Sequence, residues 1–327
     1  MGSYSLTTNA SFLIPVQEDI RAVETLMRSQ ADEHHPDLNT ALDLLLSSGG
    51  KRIRPSITLL IGKMLGASRD RLITLSAAIE LLHTATLVHD DLIDGSLLRR
   101  GMATLNSQWS PGATVLTGDF LFARAAVLAA DTKSIPVMKI FSNTLSVIVN
   151  GEITQLFASR CKVSREDYFK RIYAKTASLF ETSACTAAMI SPVDENTVDA
   201  MRNYGYQIGM AFQIVDDILD FTGDQSTVGK PVGSDLRQGL ITLPALIYIE
   251  NQPNDPDAQA LYNGECLNDD QINRLVSSIH NSKAVQISLD EACNYVQLAL
   301  NVIRRQPNNP LRKSLEELAE YIVQRKL

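Results

Sequence analysis

"LVHDDLIDGSLLRRG" at residues 87–101 and "AFQIVDDILDFTGD" at residues 211–224 are the two stretches on which the reading of this chain turns. Each places three aspartates in five positions of an otherwise apolar run: Asp90, Asp91 and Asp94, then Asp216, Asp217 and Asp220. Residues four apart on a helix stand one above the other. Asp90 is therefore a neighbour of Asp94, and Asp216 of Asp220, with Asp91 and Asp217 about a quarter-turn round. A lone cluster of this kind can also be a solvated helix face. Two matched clusters, entered through Leu87-Val88 and through Phe212, Ile214 and Val215, read instead as acidic patches where helices enter a core. Ionised carboxylates packed this closely need a neutralising partner.

Outward from these stretches, apolar residues recur every three or four positions over 16–30, 37–47, 53–66, 70–94, 112–130, 134–158, 165–190, 195–221, 240–250, 270–281, 284–305 and 311–325. Gly49-Gly50, Gly66, Gly95, Pro111-Gly112, Ser191-Pro192, the run 222–235, Pro253 to Pro256 and Pro307 to Pro310 separate them. Strand signals are nearly absent, and no repeat or Gly/Ser/Pro-rich linker divides the chain. A length of 327 residues favours two domains. The two clusters look like parts of one site, however, so the expectation is a single all-α domain over 1–327: one large bundle of ten or more helices around a deep central cavity.

Composition narrows the function classes. Hydrophobic residues make up 45% and charged residues 20%, an ordinary globular balance. A net charge of −7 argues against nucleic acid as a partner. Cys161, Cys185, Cys266 and Cys293 are far apart and form no Cys-x-x-Cys pair, which suits reduced thiols in a cytoplasmic protein. Met1 to Pro15 lacks the pattern of a secretory signal. No apolar stretch reads as reaching the roughly 18–20 residues of a bilayer span, so no transmembrane segment is expected.

Carboxylate-only ligands suit a hard cation. Mg²⁺ takes one or two carboxylates, keeps several waters and binds substrate phosphates, so two such clusters can clamp a diphosphate through metal. His83 and His89 have no partner at zinc-ligand spacing, and His34-His35 reads as a loop pair. Phosphate also needs cations. "SGGKRIRPS" at 48–56 supplies Lys51, Arg52 and Arg54 after two glycines, with Pro55 suited to the first turn of the next helix. Arg99 and Arg100 point in different directions and suit two different anions. His83 lies two turns before Asp90 on the same face, which makes it a candidate beside the plainer reading of a satisfied core histidine. Lys175-Thr176 is a lone polar pair on an apolar helix and suggests an inward-pointing lysine. Lys230 sits in the Gly-containing run after the second cluster, and Gln213 lies one turn before Asp216.

Taken together, "GGKRIRP", "LLHTATLVHDDLIDGSLLRRG", "YAKTASLF", "AFQIVDDILDFTGD" and "GLITLP" (239–244), in this order, resemble the trans (E-type) polyprenyl diphosphate synthases, in their long-chain, octaprenyl- or solanesyl-like branch. The resemblance covers nearly the whole chain. It implies the isoprenoid synthase fold, a homodimer and Mg²⁺ as cofactor. By matching motif it makes Asp90, Asp91, Asp94, Asp216, Asp217 and Asp220 catalytic, together with Lys175. Of these, Asp90, Asp91, Asp94, Asp216 and Asp220 would bind metal. Arg99, Lys175, Thr176, Gln213 and Lys230 would hold the allylic diphosphate. Gly50, Lys51, Arg54, His83 and Arg100 would bind isopentenyl diphosphate.

The implied reaction is successive head-to-tail condensation of isopentenyl diphosphate onto an allylic diphosphate. In this family the positions four and five before the first aspartate line the path of the growing tail. Here they are Thr86 and Ala85, both small, which favours a medium-to-long all-trans product over geranylgeranyl diphosphate. One departure is Leu240, where many relatives carry a lysine. Three rivals fit less well. A class I terpene cyclase usually lacks the second aspartate cluster and the basic loop, and a regulatory subunit tends to lose one cluster. A scaffold that merely binds Ca²⁺ leaves the basic residues unexplained.

Overall fold

The computed structural model describes residues 11–325 apart from 48, 100, 158–161 and 223–231. The described residues are overwhelmingly helical, as the spacing predicts: α1 (Gln17–Arg28), α2 (Pro36–Ser47), α3 (Ile53–Met64), α4 (Arg69–Ile93), α5 (Leu105–Gln108), α6 (Pro111–Asp131), α7 (Ile135–Phe157), α8 (Arg165–Ile172), α9 (Ser178–Met189) and α10 (Glu195–Thr222). Helices at Ser234–Arg237, Leu243–Asn251, Pro256–Tyr262, Asp269–His280, Ala284–Ile303 and Pro310–Gln324 follow. Among the described residues the strands are two, Leu98–Arg99 and Met102–Ala103, paired antiparallel directly after α4.

Two of these elements differ from the sequence reading. Pro253 to Pro256 reads as a breaker, yet Pro256 opens a helix: its missing N–H costs nothing in the first turn, and Asp255 caps the next two amides. The segment read as one helix over 165–190 is interrupted by a π turn, Tyr173–Ala177.

By contacts the chain divides into two compact units that interleave in sequence. The first comprises Met1–Asn143, Leu179–Gly205 and Ile303–Glu317; the second comprises Thr144–Ser178, Tyr206–Val302 and Leu318–Leu327.

In the first unit α4 is the central helix. Leu72, Ala77, Ala78, Ile79, Leu81, Leu82 and Ala85 are all buried, so it is apolar on most of its circumference, as a core helix must be. It runs antiparallel to α6. Arg71 donates to the Thr132 carbonyl at one end (3.1 Å), and the His89 ring meets the Val115 carbonyl at the other (3.1 Å). Gly118 makes that approach possible, because a Cβ there would lie 2.1 Å from the His89 ring. Both α4 and α6 are long and apolar enough to cross a membrane by length and composition alone, which corrects the expectation that no stretch reaches that length. For α4, two-thirds of the apolar window is buried inside the fold, at 67%, which marks it as a core helix.

In the second unit the helix Leu243–Asn251 is buried from Leu243 to Ile249. Gly151 of α7 admits Ala174 of the π turn, since a Cβ at Gly151 would come within 2.6 Å of that methyl. Tyr173, Tyr206, Tyr295 and Phe169 form a run of ring contacts beside it.

Candidate active site

The first aspartate cluster closes α4. The helix ends as Gly95 takes a left-handed turn (φ +63°), and the chain returns as the short hairpin that carries Arg99. Asp91 is buried, and Arg99 grips it with Nε at 2.9 and 3.0 Å and Nη2 at 2.8 Å. Asp90 is half-buried and Asp94 exposed. The middle aspartate is thus held by Arg99, and the last of the motif lies toward solvent. Arg100 lies outside the described residues.

The basic loop precedes α3. Gly49 (φ +75°) and Gly50 are exposed, as is Lys51, whereas Arg52 turns inward. Arg52 adopts a left-handed backbone (φ +46°), which costs a residue with a side chain about 1 kcal/mol or more. Its guanidinium meets Glu24 of α1 at 2.8 Å, Glu80 of α4 at 3.1 Å and the Leu46 carbonyl of α2 at 3.1 Å. Burial alone would lower its pKa; the two glutamates more than offset this and hold it above the ordinary value. One arginine thereby ties the loop to three helices, with Lys51 and Arg54 on either side of the anchor. Arg54 is half-buried, its guanidinium 4.5 Å from the Phe180 ring centre. His83 is half-buried on α4, and its carbonyl accepts the Thr86 hydroxyl at 2.7 Å. Ala85 is fully buried.

The second unit carries the other half of the predicted residues. Lys175 and Thr176 fall within the π turn, a feature frequent at functional sites. Lys175 is partly exposed and pairs with Glu152 of α7, itself largely buried, at 2.9 Å. The Thr176 hydroxyl donates to Gln213 Oε1 at 2.6 Å. Gln213 Nε2 donates to Asp217 at 2.7 Å, so Gln213 engages the residue four on rather than Asp216 three on. Asp217 also accepts the Tyr168 hydroxyl at 2.8 Å. Burial, then the nearby Asp235, pushes the Asp217 carboxyl up to about 7. Burial and the Asp217 charge raise Tyr168 well above its ordinary value.

Asp216 is half-buried and accepts Arg325 Nη1 at 2.7 Å through one oxygen. Arg325 is itself buried, bonded to the Phe212 carbonyl at 3.0 Å, with its guanidinium 4.0 Å from the Phe212 ring centre. Asp220 caps the short helix Ser234–Arg237, accepting the Ser234 amide and hydroxyl (3.1 and 2.7 Å) and the Asp235 amide (3.1 Å). Lys230 lies outside the described residues. Leu240 is half-buried.

Four partners here carry no signature in the sequence. Glu152 sits alone in an apolar helix, Arg325 lies 109 residues from its aspartate, and Ser234 and Asp235 fall in the run 222–235 that the sequence reads as a breaker. Tyr168, seven residues before Lys175, is the one that a two-turn spacing points to.

All the donors on the aspartate side are hard oxygens, which fits magnesium. Among the described residues no three acidic, imidazole or thiol groups converge to hold a metal unaided. In the first unit Asp90 and Asp94 are the less buried carboxylates of their motif and Asp91 is buried; in the second Asp216 and Asp220 are the less buried and Asp217 is buried, so each motif by itself offers oxygen ligands of the kind magnesium takes.

An all-α chain with two Asp-Asp-x-x-Asp helices, a basic Gly-Gly-Lys loop and a Lys-Thr pair defines a class of diphosphate-handling helical enzymes. Residues 35–279 match the model of the Polyprenyl synthetase family, and the chain belongs to it. It is 35% identical to a prenyl transferase of Synechocystis sp. over 98% of its own length and 99% of that protein's. With solanesyl-diphosphate synthase 2, chloroplastic, of Oryza sativa it shares 33% identity, covering 97% of this chain and 79% of the other. The structure aligns at a TM-score of 0.91 and 34% identity with a polyprenyl synthase from Caulobacter crescentus complexed with calcium and isoprenyl diphosphate, covering 99% of both chains.

Proposed function

We propose that the protein is a Mg²⁺-dependent prenyltransferase that condenses an allylic diphosphate with isopentenyl diphosphate, repeatedly and head to tail, to give an all-trans polyprenyl diphosphate longer than geranylgeranyl. The observation that carries the reading is the retention of both aspartate clusters and the basic loop in a chain matching polyprenyl synthases from end to end. The solanesyl name of the rice relative and the small pair Ala85 and Thr86 favour the longer product.

Each residue then has a task. Gly50, Lys51, Arg54, His83 and Arg100 hold the isopentenyl diphosphate, with Lys51 and Arg54 steadied by the Arg52 anchor between them. Arg99, Lys175, Thr176, Gln213 and Lys230 hold the allylic diphosphate. Arg99 and Lys175 each answer to a carboxylate, Asp91 and Glu152, which fixes where their charge is presented. Bound at Asp90, Asp91, Asp94, Asp216 and Asp220, Mg²⁺ would supply charge neutralisation for the leaving diphosphate. The allylic C–O bond breaks with its electron pair on the diphosphate, and the isopentenyl double bond attacks the cation to form the new C–C bond. A proton then leaves to the departed diphosphate. No side-chain nucleophile is required, in keeping with the sequence.

We also infer that 1–327 acts as one catalytic domain in the cytoplasm and pairs with a second copy. Leu116 and Val127 of α6, and Ile153 and Phe157 of α7, are exposed apolar side chains that a partner of the same kind would cover. The deciding experiment incubates purified protein with labelled isopentenyl diphosphate, Mg²⁺ and a farnesyl or geranylgeranyl primer, then separates the dephosphorylated products. Labelled polyprenols longer than geranylgeraniol are expected. Geranylgeraniol alone would assign the shorter synthase, and cyclised hydrocarbon or no elongation would refute the transferase.

A further inference from the structure

We propose that Tyr168 is a positioning residue for the allylic diphosphate: through Asp217 it fixes the orientation of the Gln213 amide, and with it the Thr176 hydroxyl. The inference rests on the reading that Gln213 contacts that diphosphate. Three hydrogen bonds form one directed chain. The Tyr168 hydroxyl donates to Asp217 Oδ2 at 2.8 Å, Gln213 Nε2 donates to Asp217 Oδ1 at 2.7 Å, and Thr176 Oγ1 donates to Gln213 Oε1 at 2.6 Å.

Each link dictates the next. With Asp217 ionised its carboxylate only accepts, so Gln213 turns its nitrogen to Asp217 and its oxygen to Thr176. The Thr176 proton is thereby committed to the amide oxygen, and the second N–H of Gln213 is left as the donor for an anion. Flipping the amide would set its oxygen against the carboxylate, with Asp217 buried where water cannot relieve the repulsion. Tyr168 holds the far side of that carboxylate. It is fully buried, so it touches no ligand itself. Arg171, bonded to the Ile241 carbonyl at 2.6 Å, lies 5.6 Å from its ring centre and confines the ring. Lacking the hydroxyl, Asp217 keeps a single strong donor and is free to rotate, and Gln213 loses its fixed partner.

The test uses Tyr168→Phe, which removes one oxygen and keeps the ring. Calorimetric binding of farnesyl thiodiphosphate, an unreactive allylic analogue, in Mg²⁺ should weaken about tenfold, while binding of isopentenyl diphosphate to the same folded variant stays near wild type. In turnover, KM for the allylic primer should rise and KM for isopentenyl diphosphate should not. In a Gln213→Ala background, Tyr168→Phe should add little, because the group it positions is gone. Asp217→Asn, which keeps the volume but sets a donor against one of its two donors, should reproduce the pattern by an independent route. Unchanged analogue binding in Tyr168→Phe, or an undiminished effect of it in the Gln213→Ala background, overturns the proposal. If instead Gln213→Ala alone leaves analogue binding unchanged, the assignment of Gln213 to the diphosphate fails, and the positioning role falls with it.

Discussion

Arg52 and Asp19 show what single buried charges do in this chain. Arg52 lies in the middle of the basic loop, where residue type alone assigns it to the same anion as Lys51 and Arg54. Its guanidinium is instead consumed by Glu24, Glu80 and Leu46. Arg52→Ala strands two acids, one of them buried, and should cost about 3 kcal/mol in denaturant unfolding, since breaking a buried pair leaves an uncompensated charge. Arg52→Lys should recover little, because an ammonium cannot span three acceptors in the plane of the guanidinium fork. Asp19 of α1 is buried between Lys63 of α3 and Arg69 of α4, at 2.8 and 2.6 Å. Burial opposes ionisation, but the two cations outweigh it and hold the carboxyl below its ordinary 3.8. The native state then binds fewer protons than the unfolded chain near that pH, so this stabilisation is complete above 3.8 and fades as pH falls through the lower native value. The stability gap between wild type and Asp19→Asn should accordingly be full at neutral pH and shrink in acid, as urea titrations across the range would show.

Elements are placed by small residues as much as by large ones. At the crossing of α9 and α10, a Cβ on Gly205 would lie 2.6 Å from the Phe180 carbonyl oxygen and 2.8 Å from the Glu181 Cα, both backbone atoms. Gly205→Ala should therefore force the helices apart and destabilise by about 1–3 kcal/mol in thermal melts, despite the better helix propensity of alanine. The same α10 carries all of the second cluster, so the catalytic rate should fall with the packing. The π turn is the other device at this scale. It was not legible in "YAKTASLF", because one extra residue in a turn leaves the apolar pattern nearly unchanged. It nonetheless decides that Thr176 meets Gln213 while Lys175 meets Glu152.

For the molecule as a whole, the unburied apolar residues are the clearest feature. Leu116 is 68% exposed and Phe157 85%. With a second copy covering these faces, wild type should sediment as a dimer, and Leu116→Glu or Ile153→Glu should shift it toward monomer. Unchanged sedimentation would mean that neither face is the contact. The helical class and the position of most long helices were legible in advance, because a period of three to four residues is a local property. The unit division and the helix at Pro256–Tyr262 were not, since contacts between distant segments and a proline at a helix start leave no such period.

The sequence by itself determined the chemistry on offer: two triads of aspartates one turn apart, a basic loop after paired glycines, and a Lys-Thr pair. These follow from residue type and helical spacing, which any short window contains. Only the tertiary structure decided which of those groups are engaged and by what. Arg99 holds Asp91, Tyr168 and Gln213 hold Asp217, Arg325 holds Asp216, and Ser234 with Asp235 holds Asp220. All but the Gln213 contact are made between separate elements, from 8 to 109 residues apart. Their pairing depends on how separate elements pack, and packing is set by the burial of apolar faces far from the charges it brings together.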